Sequence, residues 1–246
     1  VNCKKCSQFM WIDRNSTGEK CHRCENGLNK TLINKKPRRL NKKTKLVYGV
    51  GVNDADYKTN PTINGKRVPC PFYSKWFGML TRVYDPVYLS RFPTYQDVSI
   101  DAEWLTFSRF KAWMQLQDWE GKELDKDLIE PGNKLYKHDK CCFITKRLNS
   151  TIISSSSGSL PENLGATYDK TSGKYAAYIN INGSQKRIGR YKSKVEASIN
   201  YLQEKIKYML EIMKCETDPR IKWGIIRHVD IYQERLNYLN LNKGSL

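Results

Sequence analysis

Apolar residues follow two different rhythms in the second half of the chain. Tyr175, Ala177, Ile179 and Ile181 share one parity, and Lys174, Ala176, Tyr178 and Asn180 take the other. A period of two is the signature of a strand with one buried face. Strands are predicted over 165–168, 175–181 and 185–191, with Asn182-Gly183 turning between the last two. The rhythm then changes. Val195, Ile199, Leu202, Ile206, Met209 and Met213 recur at spacings of four and three. That predicts an amphipathic helix of about five turns, long enough to cover one face of a three-stranded sheet. Trp104, Phe107, Phe110 and Trp113 fit helical spacing from Ala102 onward, with Asp101 as N-cap. One more helix is expected over Asp230–Leu239. The predicted fold class is α+β, built from small modules, and no long-period repeat is visible.

Residues 47–150 are dense in aromatics, among them Phe72, Tyr73, Trp76, Phe77, Tyr84, Tyr88, Phe92, Tyr95 and Trp119. These read as core rather than as base-stacking platforms. The serine-rich run from Thr151 to Ser159 reads as a linker and a domain boundary.

Charge changes the picture. The chain has 246 residues, with 43 Lys+Arg against 25 Asp+Glu, a formal net charge of +18. Such a chain should seek a polyanion. The block from Lys30 to Lys45 carries Lys35, Lys36, Arg38, Arg39, Lys42 and Lys43 and no acid. It reads as an extended arm that follows a phosphate backbone. Apolar residues make up 39% of the chain, lean for one large core, while 11% aromatics argue against wholesale disorder. No run of 18 apolar residues and no apolar signal segment is visible. The expectation is a cytoplasmic protein without membrane contact, a monomer being favoured.

Four of the eight cysteines form two tight pairs, Cys3-x-x-Cys6 and Cys21-x-x-Cys24. Each pair presents two sulfurs from one turn, and four thiolates satisfy zinc tetrahedrally. So short a segment lacks the apolar residues to fold without metal. A structural Zn²⁺ is expected there, with no open coordination position.

A second constellation is Leu124-Asp125-Lys126-Asp127-Leu128, then Gly132-Asn133, Cys141-Cys142 and Asn149. Asp and Asn oxygens suit a hard cation such as Mg²⁺ or Mn²⁺, and phosphodiester hydrolysis uses such a cation to stabilise the leaving oxygen. On a strand, Asp125 and Asp127 at i and i+2 would share a face. Taken by itself, a pair of aspartates around a lysine is more often a charged surface.

The ordered series Trp76-x-x-Met79-Leu80-x-Arg82-x-Tyr84, Tyr95, Val98, Trp104, Phe107, Trp113, Leu-Asp-Lys-Asp, Gly-Asn, Tyr136, Cys-Cys-Phe and Asn149 resembles phage-encoded HNH-type endonucleases of the homing kind. The resemblance implies a ββα-metal fold for about residues 120–150. It implies Asp125 as metal ligand, Asn149 as the last polar position and Asn133 as a loop-fixing residue. Two departures stand out. Lys126 occupies the place of the general-base His, and Cys141-Cys142 falls near an Asn-Leu position. A lysine ammonium accepts no proton at neutral pH unless its pKa is depressed, and thiols favour softer ions than Mg²⁺. His138 is near enough in sequence to serve as the base.

Leu164-Gly165-Ala-Thr167-Tyr168, Gly173-Lys174-Tyr175-Ala-Ala-Tyr178-Ile179-Asn180 and Lys186-Arg187-Ile188-Gly189-Arg190-Tyr191, followed by the helix from Lys194, are similar to an APETALA2-type DNA-binding domain. The resemblance implies that the sheet face away from the helix enters the major groove. By position it carries over Thr167, Lys174, Tyr178, Asn180 and Arg187 to base or backbone contact. Lys170, Lys186, Arg190 and Lys192 would suit phosphates.

The expected organisation is a zinc ribbon (1–28), a basic arm (29–46), an HNH-like region (47–150), a linker (151–160), an APETALA2-like module (161–215) and a helical tail (216–246). The expected function is metal-dependent cleavage of double-stranded DNA. The alternative is a catalytically degenerate, nuclease-derived DNA-binding regulator or host-takeover factor. A third reading, RNA binding through ribbon and arm, predicts a preference for structured RNA.

Overall fold

The computed structural model describes residues 46–153 and 164–243. The four paired cysteines and the basic arm from Lys35 to Lys43 lie outside the described residues. The fold is α+β. No described helix is long and apolar enough to cross a membrane. The chain divides into two compact units, with the division falling at 117/118 and residues 97–99 joining the second unit. That division cuts the stretch 47–150, which the aromatic density suggested was one region.

The first unit contains the small hairpin β1 (Thr62–Ile63) and β2 (Lys66–Arg67), then helices α1 (Pro71–Tyr84), α2 (Pro86–Arg91) and α3 (Phe107–Met114). Pro71 starts α1, where the missing N–H matters least. Its buried stripe is Trp76, Met79, Leu80 and Val83, spaced by three, one and three. Trp76 donates its indole N–H to Trp104 O at 2.7 Å, so a large buried aromatic leaves no polar atom unmatched. The helix expected to run unbroken from Ala102 is in fact two pieces. A 3-10 turn, Ala102–Leu105, is capped by Asp101, whose carboxylate accepts the Glu103 N–H at 3.0 Å. The chain then extends at Thr106 before α3 begins. The break has a tertiary cause. Val52 N–H bonds to Leu105 O and Phe107 N–H bonds to Val52 O, both within 2.9 Å. That bridge takes the backbone groups a continuous helix would have used.

The second unit opens with β4 (Glu123–Asp125) and β6 (Cys142–Ile144), antiparallel with Asp125 opposite Cys142, followed by α4 (Lys146–Ile153). β5 (Leu135–Tyr136), which falls between β4 and β6 along the chain, pairs in a separate two-stranded sheet with the earlier β3 (Ser99–Ile100), where the Ser99 N–H donates to Lys134 O at 2.8 Å. Next comes an antiparallel sheet, β7 (Ala166–Asp169), β8 (Lys174–Ile181) and β9 (Ser184–Tyr191), in that spatial order. Asn182 and Gly183 turn between β8 and β9 with φ of 52° and 79°, the left-handed pair that a two-residue hairpin requires. Helix α5 (Lys194–Cys215) starts at Ser193, whose hydroxyl accepts the Glu196 N–H at 3.1 Å.

The last helix is longer than expected. α6 spans Pro219–Leu241, begun by Asp218 as N-cap and by Pro219. It is no appended tail. Ile221, Ile225, Tyr232, Leu236 and Leu239 join Leu128, Cys142, Ile144, Leu148 and Ile152 from the β4–α4 segment and Ala177, Ile179, Leu202 and Met209 from the sheet and α5 in one buried cluster. Thr151 and Ile152, assigned above to a linker, are buried residues of α4. From residue 118 onward, the segments read as consecutive modules share one core.

Candidate nucleic-acid interface and the Asp125 loop

Parity fixes the two faces of the three-stranded sheet. Tyr175, Ala177, Ile179 and Ile181 of β8 pack toward the core, and Lys174, Ala176, Tyr178 and Asn180 face away. Directly paired residues point to the same side. Thr167, Arg187, Arg190 and Gln185 therefore share the outer face, opposite Ala176, Tyr178, Ala176 and Asn180 respectively. Thr167, Lys174, Asn180, Gln185, Arg187 and Arg190 are exposed, and Tyr178 is half-buried.

The two arginines need a bulge to share that face. They are three residues apart, and regular alternation would point them in opposite directions. The register slips between Ala177 and Tyr178 of β8, leaving Ile188 of β9 without a direct partner. Ile188 packs against the core, and Arg187 and Arg190 both look outward. Lys186 is different. It lies opposite buried Ile179, on the helix-side parity, exposed because β9 is the edge strand. Lys170 and Lys192 are exposed outside the strands.

Sequence reasoning missed Gln185 and Asp169 on this face. The Asn182-Gly183 turn was the signal for the first, since a two-residue hairpin sets Asn180 opposite Gln185.

The second constellation has a different character. The strand β4 ends at Asp125, so Asp125 and Asp127 do not form a pair on one strand face. Asp125 instead folds its carboxylate over the next turn, and Oδ1 accepts the N–H groups of Asp127 (2.9 Å) and Leu128 (2.6 Å). This is an Asx turn built by the residue type that favours it. Burial raises the Asp125 carboxyl from the usual 3.8 to about 6, against the pull of those backbone donors. Lys126, in the general-base position of the resemblance, is buried. Its ammonium donates to both oxygens of Asp127 at 2.7 Å and to Asn133 O at 2.8 Å. Asn133 is buried too. Its amide donates to Lys126 O and Leu135 O and its carbonyl accepts the Leu135 N–H, all between 2.8 and 3.1 Å. Asn133 thus ties the two ends of the loop together.

His138 is exposed in the turn after β5, and Asn149 is half-buried in the first turn of α4. Cys141 and Cys142 are buried, and burial pushes the Cys141 thiol up to about 12 and the Cys142 thiol up as well. Thiols so raised stay protonated at neutral pH and are poor donors to a hard cation. Among the described residues, no group of three His, Cys, Asp or Glu side chains could hold a metal ion.

Helix α6 closes over this loop. His228 Nε2 lies 3.2 Å from Asp127 O, and Arg227 donates to Ile129 O. A Cβ on Gly224 would come within 2.6 Å of Leu128 O, so only glycine allows the close approach. None of the sequence motifs singles out His228. The signal was its place on the buried stripe Ile221, Ile225, His228 and Tyr232.

No family model, curated protein or solved structure matches the chain.

Proposed function

We propose that the protein binds double-stranded DNA by laying the outer face of the β7–β8–β9 sheet in the major groove, and that the Asp125 loop serves mainly as structure. The observation that carries this reading is the outer face itself. Lys174, Asn180, Gln185, Arg187 and Arg190 stand exposed on one side of a ribbon, in a chain of net charge +18. A β-ribbon fits the major groove, and Arg, Asn and Gln are the side chains that read guanine and adenine edges there. The basic arm would add phosphate contacts, and the four paired cysteines would hold one structural Zn²⁺ per chain, which metal analysis of the purified protein tests directly.

The binding test is a titration of the intact protein against duplex DNA, single-stranded DNA and structured RNA over a range of salt. Duplex should bind most tightly, with affinity falling steeply as salt rises, because phosphate contacts release counterions. A flat salt response or a preference for structured RNA sinks the proposal.

The β4–β6–α4 order favours a second reading, an HNH-type endonuclease. It puts Asp125 at the end of the first strand and Asn149 on the helix that follows the second. The Lys126–Asp127 pair and the backbone bonds of Asp125 weigh against it. Incubation with plasmid and Mg²⁺ or Mn²⁺, beside Asp125→Ala, separates the readings. Nicking abolished by the substitution makes the protein an enzyme, and tight binding with intact plasmid makes it a binder.

A further inference from the structure

The two outward arginines of β9 differ in how they are held. Arg190 Nε lies 3.1 Å from Asp169 Oδ2. Asp169 is on β7, opposite Lys174, while Arg190 is on β9, opposite Ala176. The ion pair therefore crosses the central strand diagonally, over Ala176. That residue is 1% exposed although its parity points it away from the core.

Asp169 is itself fixed. Its Oδ1 accepts the Thr171 N–H at 3.0 Å and its Oδ2 accepts the Ser172 hydroxyl at 2.9 Å. The Ser172 bond leads the interactions that hold its carboxyl below the usual range, Arg190 among them. A carboxylate pinned by its own turn is a rigid anchor for a long side chain. Among the described residues, no carboxylate is paired with Arg187.

Which nitrogen is held matters. A guanidinium has five N–H donors in a planar fork. With Nε the nitrogen that faces Asp169, the far edge that carries Nη1 and Nη2 is the one an end-on bidentate contact would use. That is the geometry that matches guanine O6 and N7. Fixing the side chain beforehand removes the ordering cost at the moment of binding. Asp169 is also the one acid among the described outer-face residues. On a surface used only for phosphate contact an acid would weaken binding, so its presence suits selection among bases better than bulk affinity.

We propose that Asp169 is a positioning residue, holding Arg190 by Nε so that its outer edge reads a guanine in duplex DNA. This assigns Arg190 to base recognition, beyond the phosphate contact expected from its position. The proposal rests on the sheet-in-groove reading above.

The test is selection of binding sites from a randomised duplex library by the full-length protein and by Asp169→Asn, Arg190→Lys and Arg187→Lys. Asparagine removes the charge and keeps one of the two acceptor oxygens, enough for the Thr171 N–H, while its amide nitrogen takes the place of the oxygen that faces Ser172 and Arg190; lysine keeps the positive charge. Thermal melting checks that each variant is folded. The wild type should enrich sites with a fixed G·C column. Asp169→Asn and Arg190→Lys should both lose about tenfold or more of the preference at that one column. Affinity of Asp169→Asn for unselected duplex should stay level or rise, since it has lost an acid. Arg187→Lys should leave the column intact.

A column that survives in Asp169→Asn, or that moves with Arg187 instead, overturns the proposal while leaving the sheet as the binding face. Should Asp169→Asn unfold, Arg190→Lys decides alone, and an intact column there overturns it equally. If the wild type enriches no motif and all three variants bind duplex as it does, the sheet-in-groove reading falls with it.

Discussion

The Asp125 loop and the outer sheet face are built from the same kinds of side chain, and their situations are opposite. In the loop, Asp125, Lys126 and Asn133 are buried and bonded to one another or to nearby backbone. On the sheet, Lys174, Asn180, Gln185 and Arg187 project into solvent. A polar group whose bonds are made inside the protein holds the protein together. One whose donors and acceptors face water is available to a partner. Residue type and order alone do not separate the two cases, and burial with bond geometry does.

Asn133→Ala should sharpen the contrast most. It leaves the Lys126 and Leu135 carbonyls and the Leu135 N–H without their buried partner, at roughly 2–4 kcal/mol of stability. Denaturant unfolding measures the loss, and the fraction that remains folded should bind duplex as before. A stable variant with weakened binding would reverse the assignment of the loop to structure.

Asp125→Asn comes next. The folded carboxyl, at about 6, sits above its ordinary 3.8, so the folded state keeps a proton that the unfolded chain releases between those values. The Asp125 contribution is therefore most favourable below that window and is lost as pH rises through it, by about 3 kcal/mol. Asparagine keeps an Oδ1 acceptor and carries no charge. The variant should be more stable than wild type above about pH 6, and the advantage should vanish toward pH 4. Unfolding curves of both proteins at the two ends of the window check the sign.

Arg187→Ala should leave stability within about 0.5 kcal/mol, being exposed. It should weaken duplex binding about tenfold, and lower the salt slope by about one if the contact is to phosphate. Unchanged binding would remove Arg187 from the interface.

The smallest effect belongs to His228. Burial lowers its pKa from the usual 6.5. As pH falls below that value the unfolded chain takes up a proton that the folded state resists, so stability declines. His228→Gln should flatten the slope on the acid side of neutrality, opposite in sign to the Asp125 effect.

Much of the second unit was legible. The alternation of β8, the Asn-Gly turn and the four-and-three spacing of α5 depend on local pattern, and the observed bounds lie within a residue or two of those expected at most ends. What the pattern could not carry were tertiary decisions. Thr106 leaves the helix because Val52 claims its neighbours' backbone groups. Lys205, on the buried stripe of α5, is tolerated there because its ammonium donates to Thr151 O and lies over the Tyr232 ring. The outward turn of both β9 arginines depends on one unpaired residue, Ile188. The candidate loop was found by motif order, but its burial was not, since Asp-Lys-Asp reads as surface in any window taken alone.

Helix α6 has a consequence for how the protein comes to be. Residues 219–241 close over a turn formed about a hundred positions earlier, at Asp127 and Leu128. During synthesis that turn leaves the ribosome long before its cover exists. Contacts so distant along the chain close slowly, and until they close, the apolar surfaces of Leu128, Leu148 and Ile152 stay open to other chains. A nascent protein halted at residue 215 would therefore be a sticky, unfinished object and not a smaller working one.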